Sequence, residues 1–244
     1  MHKYACLTLL TIICSSNAAA ELFYQPKIGL EYINYELQVG GAHKPATATI
    51  PTINLGLSII STTTWYFDFD LAFGQGEVSN FYPEDDYIDH GSLTMSMGKS
   101  IGDGYTVYGG FNNASRLIRN KKDQANQGDS AEFNSEGLFL GLAKSYSLNE
   151  KSLISLTAAI GSMEGTYRLN NPQGQGSNNV KGDAIGYSGS AAYVYKTSES
   201  TSFTAGLKAQ SYTYTDMADT YTGETFSDTE ESIFNLFAKA SHTF

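Results

Sequence analysis

The densest chemistry in the chain is the run Tyr82-Pro83-Glu84-Asp85-Asp86-Tyr87-Ile88-Asp89-His90. An Asp pair beside an Asp-His pair is equipment for activating water, with the imidazole as base and a carboxylate orienting it. Asp85, Asp86 and His90 are therefore the candidate hydrolytic residues, set against the plainer reading of an acidic, solvated loop. Glu84, Asp85, Asp86 and Asp89 also offer hard oxygen ligands, but their spacing departs from the calcium-loop motif. His2, His43, His90 and His242 fall on separate segments, too dispersed for a zinc cage. There is no Gly-x-Ser-x-Gly elbow, phosphate-cradling glycine loop or His-Glu-x-x-His pair, so neither a cofactor nor a metal is expected.

A second set of charges is sparser and sits inside alternating apolar segments: Glu31, Asp68, Asp70, Arg116, Lys208 and Lys239. Carboxylates and cations spaced this way can set an electric field and a constriction in an enclosed passage, or salt-bridge it shut. A basic run, Arg116–Lys122, begins at the end of one such segment. A late acidic group, Asp216, Asp219, Glu224, Asp228, Glu230 and Glu231, reads as exposed loop carboxylates.

The elements that must position these charges repeat with period two. Ile53, Leu55, Leu57 and Ile59 alternate with Asn54, Gly56 and Ser58, while Trp65, Phe67, Phe69, Leu71 and Phe73 alternate with Tyr66, Asp68, Asp70 and Ala72. Leu93–Met97, Leu138–Leu142, Ile154–Ile160, Ile185–Tyr195, Phe203–Ala209 and Phe234–Phe244 repeat the pattern, which is the signal of half-buried strands. The residues between are mostly Gly, Ser, Thr, Asn and Ala, as suits the inside of a narrow cylinder rather than the Lys- and Glu-rich face of a soluble sandwich. Only 16% of the 244 residues are charged, 13% are aromatic, and 24 are glycine. The net charge of −10 leaves no electrostatic footprint for nucleic acid, and no apolar run reaches the length of a membrane helix.

Residues 1–20, MHKYACLTLLTIICSSNAAA, have the three parts of an export signal: Lys3, a short apolar stretch Ala5–Cys14, and the small residues Ala18-Ala19-Ala20. Cleavage after Ala20 would leave 21–244 as one domain and remove both cysteines, Cys6 and Cys14, so no disulfide or thiol site is expected. Short connections at 61–64, 100–104, 148–151 and 197–200 alternate with long polar ones near 38–49, 77–90, 118–135, 168–183 and 216–231. That count gives ten strands, with eight strands and longer loops as the alternative, and both ends of the chain on the short-turn side. The expected fold is an all-β, closed, antiparallel, up-and-down transmembrane barrel with five long extracellular loops. Parity sends Glu31, Asp68, Asp70, Tyr108, Asn112, Arg116, Lys208, Gln210, Asn235 and Lys239 inward.

Taken together, the export signal, the alternating segments, the uneven connections and the final strand Phe234–Phe244 resemble the outer-membrane β-barrels of Gram-negative bacteria. The resemblance implies an outer-membrane location, contact with its lipid and lipopolysaccharide, and recognition of the terminal strand ending in Phe244 by the barrel-assembly machinery. It implies interfacial aromatics, for which Trp65, Tyr66, Tyr105, Tyr193, Tyr195 and Phe244 stand at one end and Tyr32, Tyr35, Tyr167, Tyr212 and Tyr214 at the other. Loop carboxylates could join the divalent-ion layer around lipopolysaccharide. The leading functional expectation is a non-enzymatic, porin-like barrel, either a narrow passage for small polar solutes or ions or a sealed structural barrel. A surface adhesin or receptor of the opacity type, binding a host, phage or matrix ligand with its loops, is the second. The third is an omptin-like hydrolase using Asp85, Asp86 and His90. In omptins the two catalytic pairs come from well-separated strands, whereas here the four residues lie within six positions.

Overall fold

Alternation over this many segments can satisfy every backbone group only if the sheet closes on itself, and it does. A computed structural model describes residues 21–38, 44–80, 86–120, 130–170, 178–219, 225 and 228–244. Its strands are β1 (Leu22–Gln38), β2 (Ala46–Ser61), β3 (Trp65–Ser79), β4 (Asp86–Gly102), β5 (Tyr105–Asn120), β6 (Ser130–Asn149), β7 (Ser152–Asn170), β8 (Asn178–Lys196), β9 (Thr201–Asp219) and β10 (Thr229–His242). Each pairs antiparallel with its sequence neighbours, and β1 closes the ring on β10 with Glu31 opposite Phe237 and Gly29 opposite Lys239. A closed ring leaves no edge, which lipid requires because it offers an unpaired N–H or C=O no partner. Phe244 extends the seam past β10, its N–H donating to the Tyr24 carbonyl at 2.9 Å. Residues 1–20 and Asp85 lie outside the described residues.

The four short connections fall where the sequence places them. Thr64 (φ 74°), Asp103 (φ 49°) and Gly104 (φ 73°) supply the left-handed backbone that such tight turns need. The long connections are shorter than expected, because the strands run 14 to 20 residues instead of the 9–11 that a membrane requires. The reason lies in a reversal of polarity along each strand. On β1 the outward side chains Leu22, Tyr24, Ile28, Leu30 and Tyr32 are apolar or aromatic and exposed, and the next two outward positions are Asn34 and Glu36. On β7 the outward series passes from Ile154, Leu156 and Ile160 to Ser162, Glu164 and Arg168. On β6 it passes from Leu138 to Glu136, Asn134 and Glu132, so the eight residues 130–137, about 26 Å of strand, lie beyond the apolar band.

The inward face reverses in the opposite sense. Within the band it carries Asp68, Asp70, Thr94, Ser96, Thr157 and Ser190; above it come Ile33, Tyr35, Leu37, Ile50, Ile88, Ile118, Phe133, Met163, Val180, Tyr214 and Ile233. These form one apolar cluster to which nine strands give fully buried side chains and β3 gives the half-buried Val78. Leu37, Ile50, Ile88 and Phe133 are each at most 2% exposed. Each contributes about 1.5–3 kcal/mol relative to being left in water. The upper half of the barrel is thus packed like a soluble protein, oil inside and polar groups outside. The lower half is turned inside out toward lipid.

One irregularity serves this packing. The pairing of β8 with β9 shifts between Lys181 and Asp183, where Ala218 and Thr215 enclose one extra residue. That bulge changes the parity of β9 and turns Met217 into the core beside Tyr214.

Candidate functional site

The lumen holds two polar groupings at different heights. The lower one lies within the apolar band, on the wall built from β1, β2, β3, β9 and β10. Lys27 on β1 reaches Asp68 at 2.7 Å and Asp70 at 3.1 Å. Ser58 on β2 donates to Asp68 at 2.5 Å. Lys239 on β10 pairs with Glu31 at 3.3 Å and Asp70 at 3.6 Å. Every carboxylate of this wall is therefore held by an ammonium. Lys208 on β9 stands in the same field but has no hydrogen bond or ion pair among the described residues; Glu31 and Asp70 attract it from beyond ion-pair distance.

The opposite wall, β4 to β8, is neutral and rich in hydroxyls. Thr157 and Ser190 share a hydrogen bond of 2.7 Å, and Thr94 donates to Asn112 at 2.9 Å. Between the walls lies a cavity of about 440 Å³ that runs from Tyr212 and Met163 down to Thr106 and Ser145 beside the short turns.

The upper grouping sits inside the apolar cluster. Arg116 on β5 and Glu231 on β10 approach to 2.7 Å, at 3% and 0% exposure. In a ring of ten strands β5 and β10 are diametrically opposite, so this pair crosses the whole lumen. Tyr214 donates to the second Glu231 oxygen at 3.0 Å, Arg116 donates to Ser135 at 3.3 Å, and its guanidinium lies 4.8 Å over the Tyr35 ring. Burial, reinforced by the Glu231 charge, pushes the Tyr214 phenol well above its usual range, so it remains a donor. His90 stands in the same layer, above the band, where its outward neighbour Asp89 is in the polar wall bonded to Gln75 and Arg119. Burial, with Arg116 nearby, lowers the His90 imidazole to about 3 and keeps it neutral.

Several expected positions come out differently. Lys208, Glu31, Asp68, Asp70 and Lys239 share one lower region of the lumen, but Arg116 belongs to the upper apolar layer, away from them. Tyr66, expected among the interfacial aromatics, turns inward and lies across Gly98 of β4. Tyr35, Tyr167, Tyr212 and Tyr214 likewise pack inside the upper barrel, because above the band the inward face is the apolar one. Trp65, Tyr105, Tyr193, Tyr195 and Phe244 are outward and exposed at the short-turn end, with Lys99 5.2 Å over Trp65 and Lys144 3.8 Å over Tyr105. Tyr32 is outward at the upper edge of the band.

His90 lies on β4, not in a loop, and Asp89 beside it faces the other way. Asp86 opens the same strand, four positions before His90. Glu231, expected as a solvated loop carboxylate, is instead buried on β10. Lys27 and Glu231 are lumenal residues beyond those expected; their parity with Glu31 on β1 and Asn235 on β10 is the signal in the sequence that points to them.

No family model matches the sequence, and no curated protein matches it. Among solved structures the chain resembles the outer membrane protease OmpT from Escherichia coli, at 10% identity over 93% of this chain and 98% of that one, with a TM-score of 0.61. It also resembles the translocator domain of the autotransporter NalP from Neisseria meningitidis, at 10% identity over 98% and 94%, with a TM-score of 0.54. The fold is that of Gram-negative outer-membrane β-barrels. Its exposed apolar belt, Leu22 to Tyr32 on β1 and Leu138 to Leu142 on β6 among others, is the surface that such a barrel turns to lipid.

Proposed function

We propose that the protein is a sealed, non-enzymatic outer-membrane barrel whose upper wall stands above the membrane as a rigid surface platform. One observation carries this reading: every strand contributes to the apolar layer that fills the upper lumen, and the Arg116–Glu231 pair braces that layer across its diameter. Such a layer has neither room nor hydration for ions, so the sealed form is favoured over the narrow passage. The lower charges then act as a lock on one wall, with Lys27 and Lys239 neutralising Asp68, Asp70 and Glu31. On this reading residues 1–20 serve export, and the terminal strand ending in Phe244 is what the assembly machinery engages.

Hydrolysis is disfavoured by the geometry of β4, where Asp89 and His90 face opposite sides. The outward polar wall favours surface contact as the accompanying role, since Glu164–Lys181 at 3.0 Å and Asn113–Glu136 at 3.1 Å hold charged and amide groups in fixed positions above the band. Planar-bilayer recording of the refolded barrel tests the seal. The expected result is no steady conductance. Stable single-channel steps whose reversal potential shifts on charge reversal of Asp68 and Asp70 would overturn it.

A further inference from the structure

Two charged side chains interrupt the lipid-facing surface near the short turns. Lys99 on β4 and Lys144 on β6 share the outward parity of Met97 and Leu142. Apolar residues continue beyond them, Ile101 59% and Leu148 55% exposed, so both lysines start from inside the apolar surface. Each lies against an aromatic ring on the neighbouring strand. Lys99 stands 5.2 Å over Trp65, its cross-strand partner on β3. Lys144 stands 3.8 Å over Tyr105, its partner on β5, and 5.4 Å from Tyr146. Ring faces attract a cation without neutralising it. Lys27, Lys181, Lys239, Arg116 and Arg119 each hold a carboxylate. Lys99 and Lys144 hold none among the described residues, and Lys144 donates instead to the Asp103 main-chain carbonyl. Tyr193, Tyr195 and Phe203 occupy the same end of β8 and β9 with no outward cation among them.

A cation set in an apolar surface, beside rings that sit at the membrane interface, lacks a counter-charge that the protein does not supply and a lipid phosphate can. We infer that the β3–β6 side of the short-turn rim binds anionic glycerophospholipids of the inner leaflet. One phosphate pairs with Lys99 and another with Lys144, while Trp65, Tyr105 and Tyr146 pack against the glycerol and the first methylenes. A zwitterionic headgroup carries its own ammonium, which competes for the phosphate, so a headgroup with net negative charge is preferred. This site lies on the outer wall and does not depend on whether the lumen is sealed.

Trp65 is the only tryptophan, so its fluorescence reports which lipid stands beside Lys99. The refolded barrel is placed in equimolar vesicles of phosphatidylglycerol and phosphatidylcholine, with bromine on the acyl chains of one lipid and then of the other. Phosphatidylglycerol is expected to associate at Trp65 about fivefold more strongly than phosphatidylcholine. Lys99→Gln, which keeps the reporter, should bring that preference close to unity. Trp65→Phe/Tyr105→Trp moves the reporter beside Lys144, where Lys144→Gln should have the same effect. Lys151→Gln, at a turn outside both contacts, should leave the preference unchanged. Equal quenching by the two brominated lipids in the natural protein, a preference that survives Lys99→Gln or Lys144→Gln, or an equal loss in Lys151→Gln would overturn the inference.

Discussion

Removing Glu231 should damage the barrel more than removing Glu231 and Arg116 together. Both side chains are almost fully withdrawn from water, 2.7 Å apart, in a layer that is mostly apolar and aromatic, with neutral His90 and Ser135 as its other polar members beside them. Arginine does not deprotonate in proteins, so Glu231→Leu leaves a full positive charge in that layer and deprives Tyr214 of its acceptor. Breaking one partner of such a pair costs roughly 3–5 kcal/mol. Replacing both with apolar residues of similar size removes the charge and its desolvation together, so Arg116→Met/Glu231→Leu should return to within about 1 kcal/mol of the natural protein. Denaturant unfolding in lipid vesicles reads the difference, since Trp65 is the only tryptophan and sits exposed at the short-turn interface. If the single and double variants lose the same stability, or Glu231→Leu loses almost none, the pair is not buried in a dry layer and the argument for a seal fails.

Two other perturbations follow from the same packing. His90 is neutral in the folded barrel down to about pH 3, while an unfolded chain protonates it near 6.5. Its folded value is depressed, so it costs nothing above pH 6.5, and stability falls by about 1.4 kcal/mol per pH unit below that, a slope that His90→Gln should remove in unfolding titrations. Tyr212 lies across Gly186, where an added Cβ would collide with its ring. Gly186→Val should therefore cost about 1–3 kcal/mol, and Tyr212→Ala/Gly186→Val should recover part of it.

The barrel was legible in the sequence because period-two alternation survives single-residue inspection: Trp65 to Phe73 read outward and Asp68 and Asp70 inward without any knowledge of neighbours. The seal was not legible. It arises because the alternation keeps its phase while the solvent on each face changes, from lipid outside to water outside. Ile33, Tyr35 and Leu37 continue the inward parity of Glu31, but being apolar they look like strand ends fading into a loop. The same change of solvent hid Glu231, whose acidic neighbours suggested a solvated loop, and brought Tyr35 and Tyr214 inside when their type suggested an interface. The Arg116–Glu231 contact joins opposite sides of the ring, which no local spacing can reveal. Lys208 reads as lumenal from its parity, but how Lys27 and Lys239 divide the three carboxylates, leaving Lys208 outside their ion pairs, is settled only in three dimensions.

Spin-label accessibility along β7 tests the polarity reversal most directly, with one nitroxide at a time from Ile154 to Arg168 and oxygen and a water-soluble nickel chelate as colliders. Even positions should favour oxygen through Ile160 and the nickel chelate from Ser162 upward, and Met163, Gly165 and Tyr167 should be shielded from both. Strong nickel collision at Met163, Gly165 and Tyr167 would mean water fills the upper lumen, and the account of a sealed barrel would be wrong.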